Sequence, residues 1–278
     1  MIQLVRVRTA AAIPKAFRDP ARLNHELALL KLRRDSGKPK SSHWSPAKKQ
    51  LRKESGGKCA YCEGPSDLVA HADVEHFRPK AVYWWLAYCY DNYLYACQIC
   101  NQVHKSDKFP IAGTAMKGPT VLGGATDAQL TALCGEFAPD PLNDNPVFTR
   151  AEFVAAAKAE KALLVDPYLS DPEPVFKWAA DEVLKEVRVA PRTTTMKKKF
   201  DAAEDCFGLN REELRRWRWE RYKDLRALRD ILDQLKNKPG EAAVRTIVEA
   251  RFREMMADTA AFAGMCRYFI RDEWGFDL

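Results

Sequence analysis

Two Cys-x-x-Cys pairs, Cys59/Cys62 and Cys97/Cys100, bracket the part of the chain that could do chemistry. Each pair turns two sulfurs towards one point, and two such turns supply four thiolates, a closed tetrahedral shell for Zn²⁺. A closed shell leaves no ligand position for water, so the expected ion is structural. It would tie together the ends of a short, loop-rich segment that lacks a large core of its own. A thioredoxin-like redox pair would need a single Cys-x-x-Cys beside a βαβ pattern, and neither condition holds. Between the two knuckles stand Glu75, His76 and Asn92, and Asn101 directly follows the last cysteine. Glu75 is a hard oxygen ligand suited to Mg²⁺ or Mn²⁺. His76 has a side chain that can be neutral at pH 7 and take a proton from water. Asn92 has two expected uses: fixing the imidazole, or holding the surrounding loop through its amide. Asn101, placed rigidly beside a zinc ligand, offers the metal a second oxygen.

Several elements must position these groups. Residues 71–77 alternate and read as a strand, broken by Arg78-Pro79-Lys80. A strand puts Glu75 and His76 on opposite faces unless the chain turns there. The aromatic run 83–90 reads as core that holds the segment together. A helix is expected after Asn101, carrying Lys105 and Lys108 and ended by Phe109-Pro110. His104 would share a face with Asn101, as an extra ligand, a phosphate contact or a solvated residue. Upstream, ten Lys/Arg stand against two acids between Lys31 and Lys58. That run reads as a phosphate-binding surface leading into the site. Within it, Ser45 and Pro46 open a helix that delivers the chain to the first knuckle.

The pattern C-x-x-C … E-H-x-x-P … N … C-x-x-C-N-x-x-x-K over residues 56–112 resembles the HNH nucleases, the ββα-metal group. The resemblance implies that Glu75 and Asn101 hold a catalytic Mg²⁺ or Mn²⁺. It makes His76 the general base and Asn92 the middle residue of the motif. Arg78, His104 and Lys105 become candidates for contact with substrate phosphate. Glu75 stands where many members have Asp, and Asn101 where the family name implies His; both variants occur in the group. A narrower likeness, carried by CAYCE, VEHFRPK, ACQICN and LLVDPYLSDP, is to the PtuB-type HNH subunits of Septu and retron-linked anti-phage systems. Those subunits work beside an ATPase of PtuA type. This chain has no G-x-x-x-x-G-K-[ST], so any nucleotide site would lie on a partner.

The rest of the chain reads as scaffold. Ile2–Val7 is a predicted short strand, and residues 21–34 a helix with Leu23, Leu27 and Leu30 on one face. Residues 112–150 read as loop and turns. Residues 151–164 are expected to be helical, and Phe176–Trp178 to pair with Leu184–Val189 as a hairpin. Asp166 and Asp171 suggest either a second metal site or Asp-Pro turns, the turns being the plainer account. Beyond Thr193 the periodicity is helical, with a capping-box start at Asn210–Glu213 and an Arg-rich helix up to the Pro239-Gly240 break.

The expected fold class is α+β, mainly α: a small zinc-stapled ββα-metal (HNH) module embedded in a helical scaffold. Its expected parts are residues 1–50, an N-terminal strand, helix and basic segment; 51–112, the nuclease module; and 113–278, a mostly helical region with a linker at about 113–150. The net charge of +7 is compatible with a polyanionic partner. The remaining cysteines, Cys89, Cys134, Cys206 and Cys266, are scattered singly and read as reduced, buried thiols. No stretch is apolar enough for a membrane span or a signal peptide, so a cytoplasmic protein is expected. The functional expectation is a metal-dependent DNA endonuclease. The alternatives are a zinc-stapled adaptor with a vestigial site, or the same chemistry on RNA.

Overall fold

The computed structural model describes residues 1–66, 72–142 and 145–278. His71, where the predicted first strand begins, lies outside them. That strand forms as β1, Ala72–His76. It pairs antiparallel with β2, Tyr93–Cys97, in a register that sets Glu75 opposite Leu94 and His76 opposite Tyr93. Aromatic and β-branched residues favour strands, and the tyrosines of β2 are wholly buried here. One residue later the chain enters a π-helix, Ile99–Lys105. Cys97 thus closes a strand and Cys100 opens a helix. The order is strand, strand, helix.

The connection from residue 77 to 92 is held by its own aromatics, as expected. Tyr83, Trp85 and Leu86 pack with Leu30, Phe137 and Phe153 in one apolar cluster. Leu30 comes from helix α1, Ala21–Arg34, and Phe153 from a helix described below. A 3₁₀ turn at Ser45–Ala47 runs into helix α2, Lys48–Glu54. The turn begins one residue earlier than expected: Trp44 takes the capping position, without a side-chain bond, and Ser45 and Pro46 are its first two residues.

Three local expectations fail. Ile2–Val7 joins no ladder: Ile2 and Leu4 bury their side chains, and the Leu4 N–H donates to the Pro167 carbonyl, 2.9 Å. Alternating burial alone made that stretch look like a strand. The loop 112–150 contains a helix, α3, Asp127–Ala132, started by a Thr126/Gln129 capping box. Asn210 caps nothing. Its amide brackets the Val189 backbone instead, accepting from N at 2.8 Å and donating to O at 2.9 Å.

The remaining elements follow the sequence. Helix α4, Arg150–Ala159, starts on a Thr149/Glu152 capping box. Strands β3, Phe176–Asp181, and β4, Glu186–Pro191, form the hairpin. Asp166 and Asp171 each accept a backbone N–H two residues on, so they are turn formers. Then come α5, Lys197–Phe207; α6, Glu212–Leu235; α7, Glu241–Met256; and α8, Ala263–Arg267, extended by a π turn over Tyr268–Glu273. The apolar stripe of α6 joins one core with the knuckle residues Tyr61 and Cys100, the N-terminal Ile2 and helices α5, α7 and α8. Arg216 and Arg229 pair along the helix with Glu212 and Asp233, as a solvated face would, whereas Arg215 reaches Glu186 of β4 and Arg218 is buried on the Leu209 carbonyl.

Candidate functional site

The four knuckle cysteines are buried, and their sulfurs all lie within 4.8 Å of one another. A tetrahedral Zn²⁺ with bonds near 2.3 Å holds its sulfurs about 3.8 Å apart, so this donor set suits a structural zinc ion. The first knuckle is a tight turn in which Glu63 N donates to Cys59 O and Cys59 N to Gly64 O, both at 3.0 Å. Glu63 takes positive φ there, +59°. Arg211 reaches in from the start of α6 and donates to Cys100 Sγ at 3.6 Å. The Cys62 thiol is held well below its ordinary pKa by hydrogen bonds from Cys100, Cys59 and Cys97 and by the Arg211 charge, despite burial. Bonds from Cys100 and Cys59 lower Cys97 as well, whereas burial pushes Cys59 up and the bonds to the other thiols push Cys100 up, so two of the four sulfurs favour thiolate by themselves and the other two give up their protons only to a bound cation.

Beside this cluster opens a cleft of about 630 Å³, bordered by Glu75, His76 and Asn101 together with Trp44, Lys48 and Lys80. Strand alternation gives Glu75 and His76 different surroundings, yet the cleft reaches both because the chain turns away after His76. The His76 ring stands edge-on to Trp44 and Tyr93, with centroids 5.0 and 5.1 Å away. Its Nε2 lies 2.9 Å from the Ala87 carbonyl, which also accepts from Tyr93 OH at 2.7 Å. A carbonyl only accepts, so Nε2 carries the proton and Nδ1 keeps the lone pair. Burial lowers the His76 pKa to about 3; the Ala87 bond opposes this, and the charges of Lys80 and Lys105 add to it. The imidazole is neutral at pH 7.

Glu75 is 4% exposed, and burial pushes its pKa up against the opposing pull of Lys105. Its Oε1 takes the Lys105 ammonium at 2.6 Å and the Tyr61 hydroxyl at 3.2 Å. Asn101 is half-buried on the π-helix, at the mouth of the same cleft. A carboxylate and an amide oxygen facing one cavity form a hard donor pair, which suits Mg²⁺ or Mn²⁺.

Four expectations for this region need correction or refinement. Asn92 does not touch the imidazole. Fully buried, it accepts from Arg78 N at 2.9 Å and donates to Arg78 O at 2.9 Å, pinning the loop that carries Ala87. Arg78 is 1% exposed and gives Nε to Glu160 Oε2 at 2.7 Å, so it is unavailable to a phosphate on the surface. Lys105 is fully buried on Glu75 for the same effect. His104 does not border the cleft. Its ring lies over Gly208, where an added Cβ would come within 2.4 Å of His104 Cε1.

Sequence reasoning missed Trp44, Lys48, Lys80 and Gln102 as individual cleft residues. The basic run before the first knuckle was the available signal for Lys48, and the structure does bring that segment to the cleft. Trp44 gave no signal beyond marking a helix start. Lys48 is partly spent on Asp73, 3.1 Å away, whereas Lys80 is exposed and sits 5.7 Å over the Trp44 ring.

No protein-family model matches the chain, and no solved structure matches it. It is 39% identical over 77 residues to the Septu protein PtuB of Bacillus mycoides (strain KBAB4). The match covers 23% of this chain and 26% of that protein, so it spans about a quarter of the relative's length. Among the described residues no helix is long and apolar enough to cross a membrane.

Proposed function

We propose that this chain is a metal-dependent nuclease of the HNH type, serving as a component of an anti-phage defence system of the Septu kind beside an ATPase partner. The observation that carries the reading is the meeting of Glu75, His76 and Asn101 at one cleft beside a four-cysteine cluster. The strand–strand–helix order around them supports it, as does the likeness to PtuB.

His76 holds its Nε2 proton against Ala87 O and keeps Nδ1 free to accept a proton from an attacking water. Its low pKa makes it, by itself, a reluctant base. A bound phosphodiester brings negative charge, which favours imidazolium and raises that pKa. Asn92 positions the base indirectly by fixing the loop whose carbonyl orients it. Glu75 and Asn101 would hold the divalent ion, which when bound supplies charge stabilisation at the phosphate and the leaving oxygen. Lys80, exposed at the rim, is free to meet the backbone of a polyanion.

The test is nicking of supercoiled plasmid, with Mg²⁺ or Mn²⁺ and with EDTA, in the presence of the partner. His76→Ala is expected to abolish metal-dependent cleavage while zinc content and folding persist. Cleavage at wild-type rate by that variant refutes the mechanism. Parallel single-stranded RNA and DNA substrates decide which nucleic acid is cut. A specific observation favours a second reading: Glu75 is already neutralised by Lys105. On that reading the chain is a zinc-stapled adaptor whose cleft holds no second metal, and failure to bind Mn²⁺ selects it.

A further inference from the structure

We propose that Lys105 is a resident counter-ion for Glu75, which an incoming divalent cation must share or displace, so that this lysine sets how tightly the cleft holds metal. The inference rests on the metal site of the nuclease reading and deepens it.

Lysine is almost never fully buried unless paired, because its ammonium loses much hydration. Lys105 is 0% exposed. Its Nζ contacts two groups of β1, Glu75 Oε1 at 2.6 Å and the His76 carbonyl at 3.0 Å. These are the two residues on which metal binding and proton transfer depend. The lysine comes from the same π-helix as Asn101, so one element brings an oxygen donor to the cavity and, behind the cavity wall, a competing cation to Glu75. π-Helical turns widen the spacing along a helix face and recur at functional sites.

The electrostatic consequence follows. An approaching divalent ion meets a charge-balanced pair in place of a free carboxylate. Whether it displaces the ammonium or settles on the other carboxylate oxygen, it works against a positive charge a few ångströms away. Removing that charge should tighten binding. A lysine that only staples the helix to the strand gives the opposite result: its loss would loosen Glu75 and weaken binding.

The test uses the full zinc-loaded chain with Mn²⁺ as the probe, followed through the free-ion signal in electron paramagnetic resonance. Lys105→Met is expected to lower the Mn²⁺ dissociation constant by about tenfold or more. Added Mn²⁺ is also expected to raise the melting temperature of K105M by more than that of wild type. An unchanged or larger dissociation constant in zinc-loaded K105M overturns the proposal.

If K105M fails to fold, wild-type protein labelled with ¹⁵N-lysine and ¹⁵N-asparagine decides the matter during a Mg²⁺ titration. The Lys105 ammonium signal is expected to shift along the same saturation curve as the Asn101 side-chain amide. An amide shift with the Lys105 signal fixed overturns this inference and leaves the metal site standing. No binding of either ion by wild type overturns both.

Discussion

Replacing Glu160 with alanine tests whether Arg78 is structural or faces substrate. The Arg78 and Glu160 side chains are 2% and 0% exposed, and they meet at 2.7 Å. Around the guanidinium stand Phe77, Phe109 and Phe153, each with its centroid 5.5 Å away. Glu160 also accepts the Met116 backbone N–H at 3.1 Å. Glu160→Ala therefore strands a cation in an aromatic box and orphans a backbone donor. Breaking a buried pair costs about 3–5 kcal/mol, and the orphaned N–H adds about 1 kcal/mol or more. The expected loss is about 4–6 kcal/mol, a large share of the roughly 5–15 kcal/mol of a whole domain. Arg78→Met with Glu160→Met removes both charges at similar volume and is expected to stay within about 2 kcal/mol of wild type. Urea denaturation of zinc-loaded protein reads both values. A cost below about 1 kcal/mol for Glu160→Ala would mean that the pair is wet and exchangeable. The double variant also separates the roles: its affinity for a DNA duplex should match wild type, and a steep loss would return Arg78 to the phosphate-binding surface.

Other outcomes follow from the same geometry. Lys80→Ala is expected to weaken nucleic-acid binding and to lower the slope of log affinity against log salt by about 1, measured by fluorescence anisotropy at several salt concentrations. Asn92→Ala should cost about 2–4 kcal/mol in urea, because it leaves both Arg78 backbone groups unpaired in a buried site. Gly208 sits at φ +56° beneath His104, so Gly208→Ala should destabilise by about 1–3 kcal/mol; a neutral result would show that the ring can move aside. Cys97→Ser is expected to lose zinc and the cooperative thermal transition together, seen by metal analysis and calorimetry.

Acid adds one more test. The Glu63 carboxyl is buried, which alone would raise its pKa, but the N-terminal ammonium and Lys58 hold it at about 2 instead of 4.5. The folded value is depressed, so this contribution is complete above pH 4.5 and fades as pH falls towards 2. It amounts to about 3 kcal/mol. Glu63→Gln should therefore narrow its stability gap to wild type across that window. A gap that stays constant from pH 6 to pH 3 would remove Glu63 as the source.

What the sequence made legible divides by the range of the interaction. The knuckles, the β1 strand, the hairpin and the C-terminal helices were readable because spacing and periodicity are local. Thr126 with Gln129 was equally local, but the Gly- and Pro-rich context around it hid a two-turn helix. At the cleft, Glu75, His76 and Asn101 were singled out by the sequence and do come together, whereas the partners of the residues around them were illegible. Arg78 and Lys105 look like phosphate ligands in any basic nuclease-like segment. What makes them structural is Glu160, 82 positions downstream of Arg78, and a helix that folds Lys105 back under Glu75. Asn92 shows the same limit. Both of its expected uses needed a buried amide, and only the position of Arg78 N and O decided between them. A basic residue near a catalytic motif therefore says little until the nearest carboxylate is known. Arg78 and Lys105 have spent their charge inside the fold, so among the described residues Lys80 and, in part, Lys48 are the lysines of the cleft wall that can meet an incoming polyanion.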